Sequence, residues 1–266
     1  MIKKIFLILF VVLFLGVFAF SANDASASHA WGPYHWARKA NPFTLKLGYN
    51  VTSAWDSYLQ TASTDWSLSS VLDTAVVSGL TDPKRCRATL GRVEVCNSKY
   101  GRNGWLGLAQ IWISGSHITQ GVAKLNDTYF NTSTYNKPAW KNLVMCQEVA
   151  HTFGLDHQDE NFSNPNLGTC MDYTSDPNGT LANPDQLSNE HPNQHDYDML
   201  KEIYAHLDST TTVSQTIASR NLGNEIGNLK LDWGRGIRQD RQGRDNLFLK
   251  DLGRGNKVLT HVFWVE

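Results

Sequence analysis

Apolar and polar residues alternate through Phe43-Thr44-Leu45-Lys46-Leu47-Gly48-Tyr49, the period of a half-buried strand. The period then lengthens: Trp55, Tyr58, Leu59 and Trp66 fall near one face of a helix over 54–68. Val71–Val77 reads as the next strand. Trp105–Ile113 and Ile118–Phe130, rich in Ile, Val, Leu and aromatics, read as two more, with their aromatic residues assigned to the core. Pro138 suits a helical first turn and places a helix over 138–153. Residues 158–190 are dense in Asn, Asp, Pro, Gly and Ser, the composition of an irregular segment. A last helix is expected over Asn193–Leu207, with Tyr197, Leu200, Ile203, Tyr204 and Leu207 on one face. Ser/Thr-rich residues 208–222 read as a linker. Alternation returns at Leu247 and Leu249 and at Val258, Thr260 and Val262, around Gly253-Arg254-Gly255-Asn256, as a small hairpin or extra strand pair. The arginines between 235 and 254 alternate with Asp240, Asp245 and Asp251, as on a solvated mixed-charge face. No internal repeat interrupts this order.

The N-terminus adds a destination. Lys3 and Lys4 precede an almost wholly apolar stretch over 5–20, and Ala25-Ser26-Ala27 offers small residues for cleavage, so residues 1–27 read as a secretory signal. A retained anchor is the alternative, although the apolar run is short for a bilayer span and no stop-transfer flank follows. Cleavage removes Lys3, Lys4 and Asp24, leaving 22 basic and 24 acidic residues, a net charge of −2. That balance argues against nucleic acid or an anionic membrane as partner. Export makes disulfides expected among the four cysteines. Three pairings exist; the favoured one joins Cys86 to Cys96 across a short hairpin and Cys146 to Cys170, tying the helix to a later turn. Neither pair fits a C-x-x-C redox or metal motif. Asn50, Asn126, Asn131, Asn161 and Asn178 each begin an Asn-x-Ser/Thr triplet, which has meaning only in a host that glycosylates.

The helix at 138–153 carries the candidate chemistry. Its apolar stripe, Trp140, Leu143 and Val144, continues at helical spacing into Gln147, Glu148 and His151. Polar side chains at core positions need buried partners, and a metal ion is an economical one. Gly154 then ends the helix and permits a sharp turn, letting His157 reach back to the same point. The stretch Gln147-Glu148-Val149-Ala150-His151-Thr152-Phe153-Gly154-Leu155-Asp156-His157 follows the pattern H-E-x-x-H-x-x-G-x-x-H, with Gln147 in the first ligand position. Side chains four apart share a helix face, so Gln147 and His151 can face one ion together. Glu148 is then the general base acting on a zinc-activated water.

These residues resemble the metzincin clan of secreted zinc endopeptidases. Ala150-His151 with Gly154-Leu155-Asp156-His157 is similar to the matrixin branch. Thr169-Cys170-Met171-Asp172-Tyr173, fourteen residues beyond His157, resembles the Met-containing turn of the clan. Tyr173, two residues after Met171, is similar to the tyrosine of astacins and serralysins. The resemblance covers residues 40–208 and implies an α+β fold, a metzincin-like zincin domain. That domain has a twisted mixed sheet packed on two long helices, a C-terminal helix and a small β appendage. It implies one catalytic Zn²⁺ held by Gln147, His151 and His157, with Glu148 as base, Tyr173 as oxyanion stabiliser, and Met171 and Gly154 as structural supports. The domains expected are a signal over 1–27, a metallopeptidase domain over 28–208, a linker over 209–232 and a β-hairpin extension over 233–266. The implied protein is a secreted monomer acting on proteins or peptides, with no stable membrane association once the signal is removed. The loop at 174–190 is expected to set its specificity.

Gln147 is the main departure. An amide oxygen matches the charge and reach of an imidazole nitrogen but is a poorer donor to zinc. Tyr173 or another histidine could make up the loss, and His191 and His195, spaced four apart after the Met-turn, are candidates. Gln158 matches no branch-typical residue after the third ligand, and no cysteine-switch propeptide is evident. The alternative function is an inactive pseudoprotease whose cleft holds a peptide or protein. A third reading makes the polar helix face a hydrogen-bonded network without metal.

Overall fold

Strand β2 (Phe43–Asn50) buries Phe43, Leu45 and Leu47 and exposes Thr44, Lys46 and Tyr49, as its alternation requires. A 3₁₀ turn at Ser53–Trp55 leads into helix α1 (Asp56–Trp66), which buries Leu59, Ala62, Ser63 and Trp66 at helical spacing. The computed structural model describes residues 29–179, 186–216 and 232–266. The expected signal at 1–27 lies outside those residues, as do 217–231 of the expected linker and 180–185 of the specificity loop.

The molecule is α+β, built on one mixed sheet. Strands β1 (His35–Trp36), β2, β3 (Leu72–Ser78), β4 (Val93–Ser98), β5 (Trp105–Ser114) and β6 (His117–Asn126) precede α2 (Asp127–Phe130) and α3 (Pro138–His151). Helix α4 (Gln194–Ile203) and strands β7 (Arg235–Gln239), β8 (Asp245–Gly253) and β9 (Asn256–Trp264) follow. The sheet order is β3-β2-β4-β6-β5-β9-β8-β7, with β1 pairing in parallel beside β6. From β3 to β6 the pairs are parallel; from β6 to β7 every pair is antiparallel. Helices α1 and α3 pack together; α1 lies on β3, and α3 lies on β5 and β6. Among the described residues no helix is long and apolar enough to cross a membrane.

Several expectations change. Strand β4 is additional, and the strand expected over Ile118–Phe130 stops at Asn126, where the Asn126 side chain accepts from Thr128 N and starts α2. Asn126 is wholly buried and donates to Gly101 O, Asn103 Oδ1 and Trp105 O, so the folded chain has no room for a glycan there. Cys86 is bonded to Cys96, but Cys96 lies in β4 between parallel neighbours, so the bridge ties a loop to the sheet instead of closing a hairpin. Cys146 is bonded to Cys170. The C-terminal residues, expected as a hairpin or extra strand pair, form three strands that extend the main sheet. Strand β9 is buried from Val258 to Phe263 on both faces.

The ends of the core are pinned by polar anchors. Asp208 accepts from the Arg38 backbone N and from its Nη1, at 3.2 and 3.1 Å, and faces the His35 and His117 imidazoles. Burial pushes the Asp208 carboxyl up, but these donors outweigh it and hold it below its ordinary range.

Candidate metal centre

Helix α3 starts with Pro138 and buries every residue from Leu143 to His151. Gln147, Glu148 and His151 are wholly buried, as the helical period demands. After His151 the backbone tightens: Thr152 N, Phe153 N and Gly154 N donate to Val149 O, Ala150 O and His151 O. Gly154 then takes φ +96°, and a Cβ there would sit 2.4 Å from Tyr34 O. Only glycine accepts both conditions. The chain reverses, and His157 Nε2 comes to 3.0 Å from His151 Nε2.

The tautomers of these two rings follow from their outer partners. His151 Nδ1 lies 2.9 Å from Leu155 O, and a carbonyl only accepts, so Nδ1 carries the hydrogen. His157 Nδ1 lies 2.8 Å from Glu160 Oε1. Burial pushes the Glu160 carboxyl up, yet its hydrogen bond to His157 and the charge of Arg238 hold it below the usual range, so it also accepts. Each ring then points an unshared pair at the other. Burial holds the His151 imidazole well below its usual pKa, which disfavours relieving that repulsion by protonation. A cation between the rings relieves it directly, and Nδ1–H bonds to oxygen acceptors are the usual support of metal-binding histidines.

A third imidazole completes the group, and it comes from β9. One ring nitrogen each from His151, His157 and His261 lie within 4.8 Å of one another. His261 is wholly buried between the Tyr173 hydroxyl, 2.9 Å from Nε2, and Glu148 Oε2, 3.3 Å from Nδ1. Burial drives the Glu148 carboxyl and the Tyr173 hydroxyl well above their ordinary ranges, and the His261 imidazole well below. Trp31 stacks on His151, with ring centroids 4.7 Å apart and 9° between planes. Gly107 of β5 is required here: a Cβ would meet Val144 Cγ1 at 2.5 Å and Glu148 Oε1 at 2.6 Å.

Gln147 sits on the same helix face, and its Nε2 donates to Cys170 O at 2.8 Å. Its Oε1, like Glu148 Oε1, is buried with no hydrogen-bond partner among the described residues. Met171 is buried in the main core, and its N donates to Thr169 Oγ1. His191 and His195 lie elsewhere: His191 Nδ1 faces Asp65 Oδ2 at 2.7 Å, and His195 stacks on His29. The loop after the helix is tied to the Met171 segment by Gln158 N to Met171 O and Tyr173 N to Asp159 O.

The C-terminal strands also brace the outer side of His157. Arg238 of β7 pairs with Asp156 Oδ2 at 2.6 Å and with Glu160 Oε1 at 3.0 Å. Burial works against the Arg238 charge, but the two carboxylates outweigh it and raise its pKa. Sequence reasoning missed His261 and Arg238. The signal for His261 was a histidine in the period-two set Leu259, His261, Phe263, where the rest of the face is apolar.

The donor set fits a borderline cation such as zinc: imidazoles, a buried amide oxygen and a phenol, with a buried carboxyl group alongside. No protein-family model matches the chain, and no curated protein sequence matches it. Among solved structures the chain is similar to myroilysin, at 13% identity and TM-score 0.37, covering 64% of this chain and 96% of that one. It is also similar to high choriolytic enzyme 1, a hatching enzyme zinc-protease from Oryzias latipes, at 10% identity and TM-score 0.35. That match covers 64% of this chain and 94% of the other.

Proposed function

We propose that this chain is a secreted zinc-dependent endopeptidase with its reacting centre at His151, His157 and Glu148. The observation that carries the reading is the pair of buried imidazoles, Nε2 to Nε2 at 3.0 Å with both outer nitrogens held by oxygen acceptors, beside a buried carboxyl. Gln147 Oε1, buried and without a hydrogen-bond partner among the described residues, is a further oxygen donor offered by helix α3. Zinc bound there would polarise a peptide carbonyl and acidify a water.

The chain's own residues supply the rest. Glu148, whose pKa is raised by burial, takes the proton of the attacking water and returns it to the leaving amine. The Tyr173 hydroxyl, kept protonated by burial, donates to the oxygen on which negative charge develops. Trp31 against His151 and the Met171 segment behind Gln147 fix the rings and keep water out. The substrate class is a protein or peptide.

A second reading has one observation in its favour: Glu148, His151 and His261 are wholly buried. Closed metal sites are structural, whereas catalytic ones keep an open position. In that reading the metal holds a binding module together and no bond is cleaved.

Elemental analysis of the purified protein, paired with peptide cleavage by wild type and Glu148→Ala, separates the two. The peptidase reading expects about one zinc per chain and a rate loss of at least about 10²-fold in the variant. Bound zinc with no Glu148-dependent cleavage leaves the binding module. A metal-free protein removes both.

A further inference from the structure

We propose that His261, delivered by the C-terminal strand β9, is the third imidazole ligand of this metal centre, so that the ligand set is assembled from both ends of the chain. The inference rests on the metal reading above and adds a ligand that lies outside the helix motif.

Strand β9 runs antiparallel beside β5 from Trp105 to Ser114, and the register sets His261 opposite Ala109. Ala109, Leu259 and Phe263 all belong to the main core. At that register position an apolar side chain would satisfy the core, and burying a histidine without partners is costly. His261 instead lies with ring centroids 4.2 Å from His151 and 4.7 Å from His157.

The polar atoms around the ring repeat the arrangement seen on the other two histidines. Nδ1 faces a carboxyl oxygen, that of Glu148, as His157 Nδ1 faces Glu160 and His151 Nδ1 faces a carbonyl. Nε2 faces the Tyr173 hydroxyl, whose hydrogen can turn aside when a cation takes the unshared pair. Three imidazoles, each with one nitrogen facing an oxygen atom, make a nitrogen set that the helix motif lacks once Gln147 stands in its first position.

Strand β5 would otherwise end the sheet with an unpaired edge beside Glu148, and an extended peptide can add to such an edge. Strand β9 occupies that edge, and Arg238 of β7 grips Asp156 and Glu160 on the far side of His157. A metal bound through His261 holds β9 in this place, and the strand in turn completes the metal site.

The test is zinc affinity, measured by competition with a chromophoric chelator on wild type, His261→Ala, His261→Gln, Gln147→Ala and His151→Ala. Circular dichroism identifies any variant that fails to fold. His151→Ala and both His261 variants should each lose more than the roughly 10–100-fold that follows loss of an outer-shell partner. Gln147→Ala should lose less than about tenfold. As a readout that needs no variant, zinc added to ¹⁵N-histidine-labelled wild type should shift three imidazole Nε2 resonances. Near-wild-type affinity in folded His261→Gln, or two shifted imidazoles only, overturns this inference and leaves the helix-based site standing. Loss of affinity in none of the variants, His151→Ala included, overturns the metal reading itself.

Discussion

Gly154 is where the metal centre is most sensitive to a single atom. Its φ of +96° and the 2.4 Å approach of a Cβ to Tyr34 O leave no side chain an unstrained place. Gly154→Ala should therefore lower unfolding free energy by about 1–3 kcal/mol, the range for a residue forced into sparsely populated backbone space. Urea denaturation checks this, and an unchanged midpoint with an unchanged slope would contradict it. The residue was legible as a helix terminator, being a glycine at the end of the periodic stretch, just before His157. Gln147 was legible as a break in the motif. What replaces it was not, because the compensating ring lies 114 positions away in sequence at His261. Local spacing carries no record of such a contact.

Helix α3 contributes its last two turns to the site, and the Met171 segment backs them. The covalent tie between them is Cys146–Cys170, 24 residues apart in sequence, with Gln147 Nε2 bonded to Cys170 O alongside. Replacing both cysteines by serine should cost about 2–4 kcal/mol of stability, by the entropy of an unfolded loop of that size. It should also weaken zinc binding, since the amide of Gln147 and the loop carrying Tyr173 lose their anchor. Denaturant unfolding and zinc competition on the double variant measure both effects; a stable variant with full affinity would contradict the assigned role.

The elements themselves were unevenly readable, for physical reasons. Strand β2 and helix α1 bury one face and show it in their period, whereas α3 is buried all round from Leu143 to His151. Strand β4 hides Glu94 and Asn97 inside, where Arg92 Nε meets Glu94 at 3.0 Å and Asn97 Oδ1 accepts from Thr52 N, so its polar residues look like surface ones. Strand β9 was visible through Val258, Thr260 and Val262. Its other face, Leu259, His261 and Phe263, is buried as well, and period two cannot distinguish a strand covered on one side from one covered on both.

At the scale of the whole molecule, the sheet order brings the chain's last strand to β5 and thus to α3. The mixed-charge face expected at the C-terminus is partly turned inward, since Arg238 is spent on Asp156 and Glu160. A metal held by His151, His157 and His261 would link a helix in mid-chain to a strand at its end, so that folding of the C-terminal segment and metal binding would reinforce one another. A ligand present at a hundred times its dissociation constant adds about 2.7 kcal/mol to the folded state. The central claim is the imidazole ligand set, and zinc K-edge X-ray absorption on the purified, zinc-loaded protein reads it most directly. Three imidazoles at about 2.0–2.1 Å, with no sulfur shell, are predicted. Two imidazoles with oxygen donors in place of the third would contradict it.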